Sequence, residues 1–154
     1  MAWDGDRTPT LATLRSLHRA HVLGIPFENL DVVVGEVPSL DLRDLQAEPV
    51  ESSRGGYRFE HNSLFAAVLE RLGFAVRRLT GRVRAGARPW EERLRTRMVP
   101  AVETPGVPGR YLADVGYGSI GALLEPLPMA PGQQHEAAGT AWSWRRPTAR
   151  PRSG

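Results

Sequence analysis

The 154-residue chain has no cysteine and no lysine. The first absence removes disulfides, thiolate metal sites and thiol catalysis from this stretch, and the second removes Schiff-base chemistry. All 20 basic residues are therefore arginines, set against 17 acidic residues for a formal charge of +3. Asp and Glu are interspersed among them, so no continuous phosphate-tracking face can be read and no nucleic-acid partner is expected. Long apolar runs are missing as well: none approaches the roughly twenty residues of a membrane-spanning helix. The opening MAWDGDRTPT has neither a basic nor an apolar leader segment. A cytoplasmic location, with no membrane partner, is the default expectation. What is present is 41% apolar residues, the composition of one domain able to bury a core.

In TLATLRSLHRAHVLG, Leu11, Leu14, Leu17 and Val22 recur near helical spacing, with Thr10 as N-cap and Gly24 as stop. IPFENLDVVVGE reads as extended, because Pro26 disfavours helix at Ile25 and Val32 to Val34 suit a strand. LDLRDLQAEPV reads as a short helix ended by Pro49. The clearest element is FEHNSLFAAVLERLGF, with Leu64, Phe65, Val68 and Leu72 as its apolar stripe and Gly73 at its end. Beyond it AVRRLTG, RMVPAVET and RYLADVGYG alternate and are punctuated by Gly and Pro, as hairpins are. Helices first and strands after argue for an α+β class. The last thirty or so residues are rich in Pro, Gly and Arg and are expected to fray.

The stretch RGGYRFEHN, residues 54 to 62, puts two glycines before a helix start. A side chain at position 58 stands at the positive end of the helix dipole. Such a place suits a thiol, which ionises easily there, and suits a cation poorly. Taken locally, an ordinary Gly-rich helix entry with an exposed Arg58 is the favoured account of the pattern.

Three stretches together go further. IPFENLD at 25 to 31, RGGY and FEHN around 54 to 62, and YLADVGYG at 111 to 118 resemble the signature stretches of the arylamine N-acetyltransferase family, in that family's order. The resemblance covers roughly residues 8 to 140. It implies an N-terminal helical bundle followed by a β-barrel domain, a cysteine-protease-like core with a Cys-His-Asp triad, and a C-terminal lid. On that pattern residues 1–79 form the helical domain and 80–154 a partial barrel, with the lid missing from this chain. The implied reaction is ping-pong acetyl transfer from acetyl-CoA, a co-substrate rather than a permanently bound cofactor, to an arylamine or hydrazine. An uncovered barrel would favour self-association through its strand edges.

Carried over position by position, the nucleophile's place falls on Arg58 and the general base's on Arg97, preceded by Thr96; only Asp114 keeps its triad identity. Phe27, Gly116, Tyr117 and Gly118 match the part of the family lining the acyl and CoA cleft, and Glu28 with Arg54 matches a bracing charge pair. Glu60 and Asn62 match positions that secure the helix start. A guanidinium stays protonated at relevant pH, so it serves neither as nucleophile nor as base. The expectation is an impaired or inactive protein, with a non-catalytic anion- or CoA-binding module and a chain that does not fold alone as alternatives. If the fold persists, Arg58 and Arg97 approach one another, a repulsion of roughly 4 kcal/mol at 4 Å that Asp114 offsets in part. Ser52 or Ser53 with His61 is a less favoured substitute pair, His61 reading as a helix-surface group. His18 and His21 read as a solvated helix face rather than a metal site, and no metal is expected.

Overall fold

Helix α1 (Leu11–Gly24) starts where Thr10 turns extended and its hydroxyl accepts the Thr13 N–H at 3.2 Å, as a capping threonine should. It ends when the Ile25 N–H closes on the His21 carbonyl. The computed structural model describes residues 3–28, 56–81, 97–118, 122–132, 134–137 and 140–143. The strand expected at Val32 to Val34 and the helix expected before Pro49 lie outside these residues.

The buried stripe of α1 is Thr13, Leu14, Leu17, His18 and His21. Leu11 and Val22 are only partly buried against the core. The histidines read as solvated are thus interior: His18 is 0% and His21 2% exposed. Helix α2 (Arg58–Arg71) also presents a face other than the one its leucines suggest. Asn62, Phe65, Ala66 and Leu69 are buried, whereas Leu64, Val68 and Leu72 are half-buried. The helix closes at Gly73, whose φ of +89° supplies the left-handed turn expected there.

Strands β1 (Ala75–Gly81), β2 (Arg97–Thr104), β3 (Val107–Leu112) and β4 (Leu127–Pro128) form one antiparallel sheet in that order. The boundary drawn between residues 79 and 80 falls inside β1. A separate hairpin pairs β5 (Gln134–Ala137) with β6 (Thr140–Ser143), setting His135 on a strand opposite Trp142. Among the described residues the sheet is open rather than a closed barrel, and the α+β class holds. No described helix is long and apolar enough to cross a membrane.

Helix α2 packs against β1 and β2. The main core joins Leu14 and Leu17 of α1 to Phe65 and Leu69 of α2 and to Phe74, Val102, Ala113 and Val115. Val99, Leu112, Leu123 and Leu127 form a second cluster. Each large apolar side chain so buried contributes about 1.5–3 kcal/mol. After β3 the chain is held by the Ala113 N–H on the Pro100 carbonyl and runs past the start of α2. That run carries the site.

Three histidines seal the α1–α2 contact. The rings of His18 and His21 meet Phe65 edge-on at 5.7 and 5.3 Å between centroids. His61, 3% exposed instead of lying on the helix surface, shares a 2.9 Å hydrogen bond between its Nδ1 and His21 Nε2. Burial pushes His18 from 6.5 down to about 4. The Leu124 backbone near that ring opposes the shift weakly without reaching hydrogen-bond geometry. His21 is pushed down to about 3, first by burial and then by His61 and His18, and burial also lowers His61.

The unfolded chain therefore takes up protons first as pH falls below 6.5. The histidines' contribution to stability is intact above that value and declines through the acid range, by about 1.4 kcal/mol per pH unit for each ring. Chemical denaturation at pH 7 and pH 5 should show a clear loss at the lower pH. A His18→Leu variant should show a shallower dependence by about that slope, and an unchanged one would assign the acid sensitivity to other groups.

Candidate functional site

Asp114 follows β3 and is 2% exposed, so its carboxylate needs partners inside the protein. Its Oδ1 accepts Asn62 Nδ2–H at 3.0 Å and the Gly116 N–H at 3.2 Å. Its Oδ2 pairs with the Nη2 of Arg97, the first residue of β2. Asn62, 0% exposed, binds on every side, also donating to the Met98 carbonyl at 2.8 Å and accepting the Val115 N–H at 3.0 Å. It was expected to secure the helix start; instead it joins α2 to β2 and to the Asp114 segment. The available signal was its place one turn into the helix, on the face that holds Phe65 and Leu69.

Arg58 begins α2 and is half-buried, and its Nε–H donates to the Gly116 carbonyl at 3.2 Å. Arg97 lies with its guanidinium carbon 4.7 Å from the centre of the Tyr117 ring, a cation–π contact worth roughly 0.5–2 kcal/mol. Burial pushes the Arg97 guanidinium down to about 10; the nearby Arg58 charge acts in the same direction and Tyr117 against it. The Arg97 guanidinium is thus cationic at neutral pH.

The glycines of this segment are set by close approach. A Cβ on Gly116 would lie 2.6 Å from the Arg58 carbonyl oxygen, so only glycine lets the segment pass the start of α2. Gly118 has φ +63° and a Cβ there would overlap the Phe27 ring at 2.3 Å. Phe27 in turn stacks on His61 and sits in a parallel bridge to Gly56, where the Glu28 N–H donates to the Gly56 carbonyl at 3.0 Å. Glu60 accepts the Tyr57 N–H at 2.6 Å and so secures the helix start as expected. Arg54, Ser52, Ser53 and Thr96 lie outside the described residues.

The fold therefore brings together Arg58, Arg97, Asp114, Gly116 and Tyr117, with Phe27 beside Gly118. Asp114 is engaged at both oxygens. The Nε2 of His61 faces the Pro26 carbonyl at 3.2 Å and its Nδ1 faces His21, so both ring nitrogens are occupied and neither is placed to activate a serine. Among the described residues no three metal-binding side chains meet. Replacing Asn62 with Leu removes partners from the Asp114 carboxylate, the Met98 carbonyl and the Val115 N–H together. Unsatisfied buried groups cost about 1–3 kcal/mol each, so Asn62→Leu should lose several kcal/mol in chemical denaturation, and a loss below ~1 kcal/mol would show the network to be dispensable.

Comparison with known proteins bears on this geometry. The family model described as N-acetyltransferase matches residues 10–148. The arylamine N-acetyltransferase of Mycolicibacterium smegmatis is 45% identical over 133 residues, 84% of this chain and 47% of that protein. The Escherichia coli (strain K12) arylamine N-acetyltransferase is 41% identical over 116 residues, covering 75% of this chain and 40% of its own length. Among solved structures, the M. smegmatis enzyme superposes with a TM-score of 0.82 at 40% identity, over 94% of this chain and 53% of that one. The Mycobacterium marinum arylamine N-acetyltransferase in complex with CoA gives 0.80 at 41% identity, over 87% and 50%. The chain spans about half the length of the curated relatives it matches. With the three sequence stretches, the superposed fold and the match over nearly the whole chain in agreement, this chain belongs to the arylamine N-acetyltransferase family.

Proposed function

We propose that this chain keeps the frame of an arylamine N-acetyltransferase site while its reacting positions no longer support acyl transfer. Arg58 stands in the nucleophile's place and Arg97 in the base's, with Asp114 as the surviving member of the triad. The observation that carries the reading is the Arg97–Asp114 ion pair: the carboxylate that would orient a neutral imidazole instead neutralises a permanent cation. Arg58 beside it is a second cation, with its Nε on the Gly116 carbonyl. Neither side chain offers an electron pair to a thioester carbonyl.

By family, the reaction at stake is acetyl transfer from acetyl-CoA to an arylamine or hydrazine, and the CoA complex of the M. marinum relative supports acetyl-CoA as the co-substrate. Phe27, Gly116, Tyr117 and Gly118 then border the cleft, and Glu28, Arg54 and Glu60 brace it. The same reading places the protein in the cytoplasm and has it self-associate through strand edges. The surplus positive charge at the start of α2 favours a second reading, a module that holds an anion such as the CoA phosphates without chemistry.

Incubation with acetyl-CoA and an arylamine should give no acetylated product above the uncatalysed background and no acetylated protein by mass spectrometry. Clear turnover by the unaltered chain would defeat the reading. The double variant Arg58→Cys with Arg97→His should gain one acetyl group from acetyl-CoA, mapped to position 58, and the single Arg97→His variant should gain none. Acetylation of both variants alike would show that the label lies elsewhere.

A further inference from the structure

The sheet leaves a recess at the end of β2 away from Arg97. Glu103 stands six positions along the strand from Arg97, about 20 Å at roughly 3.3 Å per residue, so this place is separate from the site described above. Strand β4 pairs with β3 at Tyr111 and Leu112, and the Met129 N–H then closes on the Arg110 carbonyl at 2.7 Å. The first residues of β3 run on beyond that pairing, past a register shift between Val102 and Thr104. An open cleft of about 610 Å³ lies there, and its lining combines apolar Val107, Pro108 and Met129 with polar Glu103, Thr104 and Arg110. That volume falls within the range of small-molecule sites. Pro108 has no N–H to offer an added strand, so an extended peptide would find an incomplete edge. A small molecule fits better.

The polar groups define what such a molecule carries. The Arg110 Nε–H donates to Glu103 Oε1 at 2.6 Å. Both side chains are exposed, and among the described residues the second carboxylate oxygen and the terminal guanidinium nitrogens have no protein partner. A group that only accepts thus stands beside a group that only donates. Thr104 is 4% exposed and its hydroxyl is buried with no hydrogen-bond partner, so its bonding capacity is unused. A carboxylate ligand would meet Arg110 but face the like charge of Glu103, and an ammonium would meet the reverse. A carboxamide carries N–H donors and a carbonyl acceptor without charge, and so matches both partners while leaving their ion pair intact. Val107, Pro108 and the polarisable Met129 thioether suit a ring attached to it. We infer that this cleft is a binding site for small aromatic carboxamides. The amide N–H donates to Glu103, its carbonyl accepts from Arg110 and from the Thr104 hydroxyl, and the ring lies against Val107, Pro108 and Met129. The inference does not depend on what happens at positions 58 and 97.

The test follows the methionine methyl and arginine Nε–H resonances of the full chain at pH 7 and constant ionic strength, titrated separately with benzamide, sodium benzoate and benzylamine. Benzamide should shift the Met129 methyl and the Arg110 Nε–H saturably and leave the methyl of Met98, 8% exposed near the other end of β2, unmoved. Benzoate and benzylamine should bind at least about tenfold more weakly, since each meets a like charge. Thr104→Val should weaken benzamide about fivefold, the loss of one hydrogen bond to a neutral group. Glu103→Gln, at an exposed position, should reverse the preference, so that benzoate binds more tightly than benzamide. No saturable shift with benzamide, or a shift at Met98 as large as that at Met129, would overturn the assignment. Benzoate or benzylamine binding as tightly as benzamide to the unaltered chain would overturn it in favour of a plain charge site. Because that titration and the exposed Glu103→Gln variant each read the cleft, poor folding of Thr104→Val does not leave the question open.

Discussion

A carboxylate withdrawn from water has to be surrounded by donors, and Asp114 is surrounded by three: the Asn62 amide, the Gly116 N–H and the Arg97 guanidinium. Those donors come from α2, from the Asp114 segment itself and from the first residue of β2. The helix, the sheet and the connecting run are thereby tied at one point. Gly116 allows it, since any side chain there would strike the Arg58 backbone. The apolar core of Phe65, Leu69, Val102 and Val115 lies alongside, so the polar bracket and the packing fix the same geometry.

The electrical character of this bracket is set by the Arg97–Asp114 ion pair. An imidazole next to a buried carboxylate can gain or lose a proton near neutral pH; a guanidinium, even one pushed down to about 10, cannot. The ion pair with Asp114 and the contact with Tyr117 keep Arg97 tolerable in a largely desolvated place. Among the described residues Arg58 is hydrogen-bonded to the Gly116 carbonyl. On the functional reading proposed above, the site holds charge rather than moving electron pairs.

The histidine layer between α1 and α2 follows a different rule. His18, His21 and His61 are interior groups kept neutral by burial, and they act as packing surface around Phe65. The hydrogen bonds of His21 and His61 run to one another and to the Pro26 carbonyl, next to the bridge that holds Phe27 against Gly56. The interior is therefore more polar than its leucine pattern suggests, and it is stable only while these rings stay uncharged.

Elements whose signals act over a few residues were legible in the sequence: the Thr10 cap, the Gly73 stop, the β-rich second half and the α+β class. Three short stretches that resemble one family pointed to Arg58, Arg97 and Asp114, which the fold sets near one another. The buried face of α2, the interior place of the histidines and the bracketing part played by Asn62 were not legible. Each depends on partners far away in the chain: 40 residues separate His21 from His61, 52 separate Asn62 from Asp114, and 58 separate Arg58 from Gly116. Periodicity weighs a polar residue as surface because water is its most available partner. By itself, then, the sequence determined where α1, α2 and the β-rich half form; only the tertiary structure decided which polar groups exchange water for one another, because that exchange needs a partner within hydrogen-bond distance, brought there by the fold.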